Sequence, residues 1–345
     1  MSKRLLAGIV GLSLLGAACG DDSTNETSPD TQADTQAETA SPPTAPAATA
    51  DAAASVTTSA PDATTDAAPA DTTLPDTVTP DAADADLRIA SLSPTLTETM
   101  FAIGADDLLV AVDSLSDYPD AAFDLPHELS AFEPNVEAIA GYEPDVVLIS
   151  GDFTGLGDQL EPLGIELWDG PAVATLDEAY AQIEALGART GRDAGAADVV
   201  AGMRADIDEI VGSVPDAPAD DPLTYFHELD SELYTATSDS FIGATYSLFG
   251  LENIADAAGG DTAYPQLNAE FLIEADPDLI FLADTICCGQ SIDTVAERPG
   301  WDVLSAVQNG AVIEMDDNVA SRWGPRIVDY IRDVADAVST RLASA

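Results

Sequence analysis

Two glutamates, Glu137 and Glu270, hold the same place in two segments of matching pattern. NVEAIAGYEPDVVLI runs over 135–149 and NAEFLIEADPDLIFL over 268–282, aligned without a gap at an offset of 133. Each begins with an Asn suited to cap a short helix, carries its Glu two residues later, and passes through Pro-Asp into an apolar run. Equivalent helices would offer one carboxylate each, which suits a partner with two similar halves. The alternative is a pair of solvated side chains on a very acidic surface; the matched placement favours the handle.

Other reactive residue types are sparse. Apart from Cys19 the chain has two cysteines, adjacent at Cys287 and Cys288. An exported protein meets oxidising conditions, so a disulfide is permitted. Neighbouring Cα atoms lie about 3.8 Å apart, shorter than the usual disulfide span of about 4.4–6.8 Å, and two free thiols are equally compatible with the sequence. Only His127 and His227 are available as imidazole ligands, too few for a zinc or manganese centre of clustered His and carboxylates; no metal site is assigned. No GxSxG, metal-activated water motif or nucleotide loop is present, and GDFTGLG (151–157) lacks the Lys-Ser/Thr of a phosphate loop. No catalytic residue is assigned.

The elements that must position these groups alternate. LRIASL reads as a strand, SPTLTETMFAIG as a helix with Ser93 as N-cap, Pro94 at its first position and Gly104 ending it, and LLVAV (108–112) as a strand. TSDSFIGATYSLFGLEN (237–253) repeats the design, with Asp239 in the place of Ser93 and Gly250 in that of Gly104. Gly104 to Asn135 is 31 positions and Gly250 to Asn268 is 18, so the first half carries 13 extra residues there, around SLSDYPDAAFDLPHE (114–128). VVLIS, GIELW (164–168) and AVIEM (311–315) are further strands. Helix and strand in alternation imply parallel sheets with helices on their faces. Residues 193–214 carry one apolar stripe (Val200, Met203, Ile207, Ile210, Val211) and predict a helix of roughly 30 Å. The fold class expected is α/β: two parallel-sheet lobes, 87–192 and 215–345, joined by a single long helix at 193–214.

Ligands of parallel α/β sheets bind beyond the carboxyl ends of the strands. The candidates there are Ser93, Pro94 and Thr95, then Tyr118 in the extra loop, Phe153, His227, Tyr264, Thr285, Arg322 and Trp323. The aromatic rings suit a large flat or apolar ligand, and Arg322 suits an anionic chelate. His227 reads first as a structural hydrogen-bond donor, although opposite Tyr118 it would complete an axial pair for haem.

At the N-terminus, Lys3 and Arg4 precede an apolar stretch that ends in LLGAACG. This is an export signal over 1–19, and the small residues before Cys19 resemble a bacterial lipobox with Cys19 as the lipidated residue. Residues 20–86 are Ala, Thr, Asp, Pro and Ser, too poor in large apolar side chains to fold. They read as a disordered tether with a reach of roughly 40–50 Å. A formal net charge of −52 argues against nucleic-acid and anionic-lipid partners.

Together, RIASLSPTLTETMFAIGADDLLVAV, the two Glu-bearing segments, RPGWDVLSAVQNGAVI and SRWGPRI, in this order over roughly 87–343, resemble the substrate-binding proteins of ABC importers for vitamin B12, ferric siderophores and haem. The resemblance implies lobes that move little about a rigid helix, and a metal chelate or corrinoid held in the cleft as cargo rather than as a cofactor. It implies a monomer, extracytoplasmic and lipid-anchored, that docks on a permease dimer through Glu137 and Glu270, each meeting arginines of one subunit. Haem remains the alternative ligand, and an enzyme or a structural surface lipoprotein the alternatives of another class.

Overall fold

The computed structural model describes residues 87–215, 217, 221–259 and 262–344. The export signal with Cys19, and the tether, lie outside the described residues.

The first lobe comprises β1 (Ile89–Ser91), α1 (Pro94–Ala102), β2 (Leu109–Val112), α2 (Val136–Gly141), β3 (Val146–Ile149), α3 (Leu156–Leu160), β4 (Glu166–Asp169) and α4 (Leu176–Thr190). α5 (Asp193–Ser213) connects it to the second lobe. There follow β5 (Thr224–Glu228), α6 (Phe241–Ser247), β6 (Glu252–Asn253), α7 (Ala269–Ala275), β7 (Leu279–Leu282), α8 (Thr285–Cys288), α9 (Ile292–Ala296), α10 (Ser305–Gln308), β8 (Val312–Glu314), α11 (Asp317–Ala320) and α12 (Ile327–Ser344). The sheets are ordered β2-β1-β3-β4 and β6-β5-β7-β8, parallel throughout. The same order in each makes the second lobe a structural repeat of the first.

Helices cover both faces of such sheets, so the central strands β3 and β7 are buried at every position and read as unbroken apolar runs. Short polar caps start the helices between them. Ser93 accepts from the Leu96 N–H at 3.3 Å. In the second lobe the cap is Ser240, accepting from the Gly243 N–H at 3.0 Å, and not Asp239, which is exposed. The helix begins one residue later because its first turn is drawn against the preceding loop: a Cβ at Gly243 would stand 2.2 Å from the Thr237 carbonyl oxygen.

α5 turns Ala196, Val200, Met203 and Ile207 inward. Those side chains belong to a single apolar cluster that also takes in Leu96, Met100 and Leu148 of the first lobe and Tyr225, Phe281 and Ile331 of the second. A smaller cluster around Leu92, Ile139, Val147 and Leu156 fills the other face of the first sheet.

Candidate functional site

The carboxyl ends of both sheets open onto the space between the lobes, and bonds across it fix which side chains meet. Ser93, at the end of β1, hydrogen-bonds through its hydroxyl to that of Ser150 at the end of β3, with 2.6 Å between the oxygens. Pro94 and Thr95 open α1 beside it. Gly324 approaches so closely that a Cβ there would stand 3.3 Å from the Thr95 carbonyl oxygen. The start of α1 and the segment before α12 are thus adjacent, and Ser93, Pro94, Thr95, Arg322 and Trp323 share one region.

Arg322 does not face an open cleft as a free cation. It is buried, and its Nη1 donates to Glu98 Oε1 at 2.6 Å and to Asp117 Oδ1 at 2.8 Å. Its Nη2 donates to Asn318 Oδ1 and to the Leu115 carbonyl. Arg326 grips the other side of Glu98, through Nε at 2.9 Å and Nη2 at 2.6 Å. Asn318 also donates to Asp117, and the Trp323 indole N–H donates to Gln182 Oε1 on α4 at 2.7 Å. Arginines and an amide of the second lobe are therefore paired with carboxylates of the first. The expectation that Arg322 meets an anionic ligand is corrected on this ground: two acidic partners already neutralise it.

Tyr118 is half-exposed, with the Arg326 guanidinium 4.2 Å from its ring centroid. It lines a groove of about 510 Å³ with α1, α5 and the start of α12. Phe153 is the most open of the candidates, 92% exposed, and Tyr264 is 47% exposed. Thr285 is half-buried, its hydroxyl donating to the Met315 carbonyl at 2.7 Å.

His227 keeps the structural role read first and leaves the group of cleft candidates. It is fully buried, and its Nδ1 pairs with the Tyr246 hydroxyl at 2.8 Å. Burial pushes its pKa down to about 3, so the ring is neutral. It lies within β5 among Tyr246 and its neighbours and does not reach the cleft surface. The Tyr118 and His227 pair imagined for haem is therefore not formed.

Next to it lies a buried acidic group that the sequence did not reveal. Glu228, at the end of β5, receives both arms of Arg298, at 2.6 and 2.5 Å. Asp284, fully buried after β7, has no hydrogen-bond partner for either carboxyl oxygen among the described residues. Burial first, and the Glu228 charge second, raise its pKa to about 7. Beyond it, Cys287 and Cys288 are joined in a disulfide, both exposed. Among the described residues there is no group of three or more His, Cys, Asp or Glu side chains arranged to hold a metal ion.

The paired glutamates lie as equivalents. Asn135 caps α2 by accepting from the Ala138 N–H at 3.0 Å, and Asn268 caps α7 by accepting from the Phe271 N–H at 2.9 Å. Glu137 and Glu270 stand in the first turns, both exposed. Each helix descends to the start of a parallel strand, so its N-terminus points toward the carboxyl edge of its sheet. Both carboxylates accordingly flank the face onto which the cleft opens.

Comparison with known proteins agrees with this architecture. Over 257 residues the chain is 30% identical to the cobalamin-binding protein of Halobacterium salinarum, covering 72% of this chain and 69% of that one. It is 26% identical to a Bacillus subtilis protein named as an uncharacterized ABC transporter substrate-binding lipoprotein, YvrC, covering 73% and 79%. The crystal structure of the periplasmic vitamin B12 binding protein BtuF of Vibrio cholerae superposes with a TM-score of 0.61 at 28% identity, over 74% of this chain and 97% of that one. Residues 89–319 match the periplasmic binding protein family model, which spans both sheets and the helix between them, and the chain belongs to that family.

Proposed function

We propose that this protein is the extracytoplasmic substrate-binding component of an ABC importer, and that its cargo is a corrinoid. The observation that carries the reading is the extent of its kinship. Similarity to a cobalamin-binding protein and to a vitamin B12 binding protein runs through both lobes and α5, so it includes both walls of the cleft. Exposed Phe153 and Tyr264 suit the flat, largely apolar body of a corrin ring. A ferric siderophore is the second member of the same metal-chelate class. Haem loses the residue pair that suggested it. The protein carries no cofactor of its own on this reading; the metal complex is cargo, released to a permease dimer met through Glu137 and Glu270.

A lipid anchor on Cys19 is supported by LLGAACG and by the lipoprotein name of the Bacillus relative. It would hold a monomer at the membrane, and the folded part of a Cys19→Ser variant should leave the membrane fraction. The function itself is tested by calorimetric titration with cyanocobalamin, ferric hydroxamates, ferric catecholates and haem. Cyanocobalamin should bind one-to-one and raise the melting temperature, since a ligand of the native state stabilises it. Silence across the panel would overturn the metal-chelate and corrinoid reading of the cargo.

A further inference from the structure

The loop after β7 carries a covalent feature that the binding reading leaves unused. Phe153 lies four residues beyond Ile149, the last residue of β3, and Ile286 lies four beyond Leu282, the last of β7. The two are equivalents at the offset of 133. Both are bare apolar side chains at carboxyl strand ends, 92% and 62% exposed. In the first lobe the chain continues into Thr154 and Gly155; in the second it continues into Cys287 and Cys288, bonded to each other.

This loop is held firmly although its tip is exposed. One carboxylate, Asp317, accepts from three successive backbone N–H groups: Thr285 at 2.8 Å on Oδ1, and Ile286 and Cys287 at 2.9 and 2.7 Å on Oδ2. At the far end the Gln290 N–H donates to the Asp284 carbonyl at 3.2 Å, and the Gln290 side chain accepts from Arg298. The bonded sulfurs thus stand on a fixed support. A vicinal disulfide closes two side chains into one ring with no free rotor, and its sulfurs are polarizable. Such a surface suits contact with a conjugated, flat ligand better than two mobile thiols do.

We propose that the Cys287–Cys288 disulfide is a ligand-contacting plate of the cleft, beside the second lobe's counterpart of Phe153, and that its oxidation state sets the affinity for a flat metal macrocycle. The proposal rests on the binding function argued above. Its chemistry balances with a dithiol as reductant: the dithiol gives two electrons and two protons, the S–S bond opens to two thiols, and the reagent leaves as its cyclic disulfide. Both cysteines are exposed, so the reagent reaches them. Asp317 is the positioning residue.

The test uses the full chain and cyanocobalamin, titrated in four states: oxidised, reduced with dithiothreitol then desalted without oxygen, reoxidised, and as the Cys287→Ser/Cys288→Ser variant. Intact mass confirms the gain and loss of two hydrogens. Affinity should fall about 2- to 12-fold on reduction and in the double variant, and return on reoxidation in the wild type alone. Asp317→Asn should lower affinity in the oxidised state while the disulfide remains closed by mass. The ligand-free melting temperature reports folding in every state. Equal affinity in the oxidised, reduced and double-serine proteins, all folded, would overturn the proposal and leave the function intact. If the oxidised protein binds another member of the metal-chelate panel instead, the same comparison on that ligand decides. An oxidised protein that binds nothing on the panel sinks both the proposal and the metal-chelate reading of the cargo.

Discussion

At the scale of single residues, the buried acids give the protein a defined pH response. Asp284 is raised to about 7, by burial and by Glu228, with Arg298 opposing and Asp317 adding to the rise. Asp113 is raised to about 6 by burial, against the hydrogen bond it accepts from Ser116. Between about pH 4 and 7 the folded state keeps protons that the unfolded chain has released, so these two contributions are lost as pH rises through that window. His227 acts in the other direction: held near 3 when folded, it favours folding above its unfolded value of about 6.5 and loses that contribution as pH falls. Replacing Asp284 by Asn isolates the first effect, because an amide cannot ionise beside Glu228. Asp284→Asn should be more stable than wild type at pH 8, by on the order of 1–3 kcal/mol, and nearly equal to it at pH 4. Urea unfolding at the two pH values measures this, and an equal gap at both would refute it. None of this was legible beforehand. β5 is buried at every position from Tyr225 to Glu228, so the alternation that tells inside from outside is missing, and His227 could be placed at a strand end but not given a direction. The anionic-ligand expectation for Arg322 fails for a different reason: its partner Glu98 is 224 positions away, and no local pattern announces a pairing at that distance.

At the scale of elements, the sequence was more informative, because each lobe repeats one grammar. Polar cap, short helix, proline and apolar run recur as α2–β3 and α7–β7, and the capping bonds of Asn135 and Asn268 are the same bond made twice. Where the repeat is inexact, as at Asp239 and Ser240, the reading slipped by one residue, since capping depends on backbone entry and both side chains are competent caps. The extra segment of the first lobe was visible as a length difference. Its role was not: Leu115 and Asp117 reach across to Arg322 and Asn318. Glu137 and Glu270 rise from first turns on the cleft-bearing side of separate lobes, outside the bonded network of Glu98 and Asp117. Glu137→Ala or Glu270→Ala should weaken binding to the cognate permease by about 1.5–3 kcal/mol, at the lower end of the range for close interface ion pairs, and the double change by more. Affinity for cyanocobalamin should stay near wild type. Permease pull-down and uptake beside ligand titration make the comparison, and normal docking by the double variant would remove the paired-handle reading.

At the scale of the whole molecule, the question is whether two lobes that look like separate domains behave as separate domains. Their sheets are independent, with no strand shared among the described residues. Their core is not. The apolar cluster that begins at Ile89 in the first lobe continues through Val200, Met203 and Ile207 of α5 to Tyr330, Ile331, Val334 and Val338 of α12. A Cβ at Gly195 would stand 2.2 Å from the Ile103 carbonyl oxygen, so α5 is seated directly on the end of α1. On the other side of the junction, Glu98 is buried between Arg322 and Arg326. Separating the lobes would leave that carboxylate and two guanidiniums without their partners, and breaking a buried pair of this kind costs about 3–5 kcal/mol. Opening the α5 seam would also expose apolar area on both sides. Neither lobe can therefore unfold without stripping the other of part of its core, and the described residues should melt as one unit despite exceeding the size at which two-state unfolding is usual. Calorimetry should show a single transition whose van't Hoff and calorimetric enthalpies agree. Met203→Ala, which empties a buried site in the shared seam, should lower the stability of that one transition by about 2–5 kcal/mol without splitting it. Two resolved transitions in the wild type, or a Met203→Ala variant in which one lobe melts while the other keeps its temperature, would show that the seam does not join the lobes thermodynamically and that the cleft is free to open as a hinge.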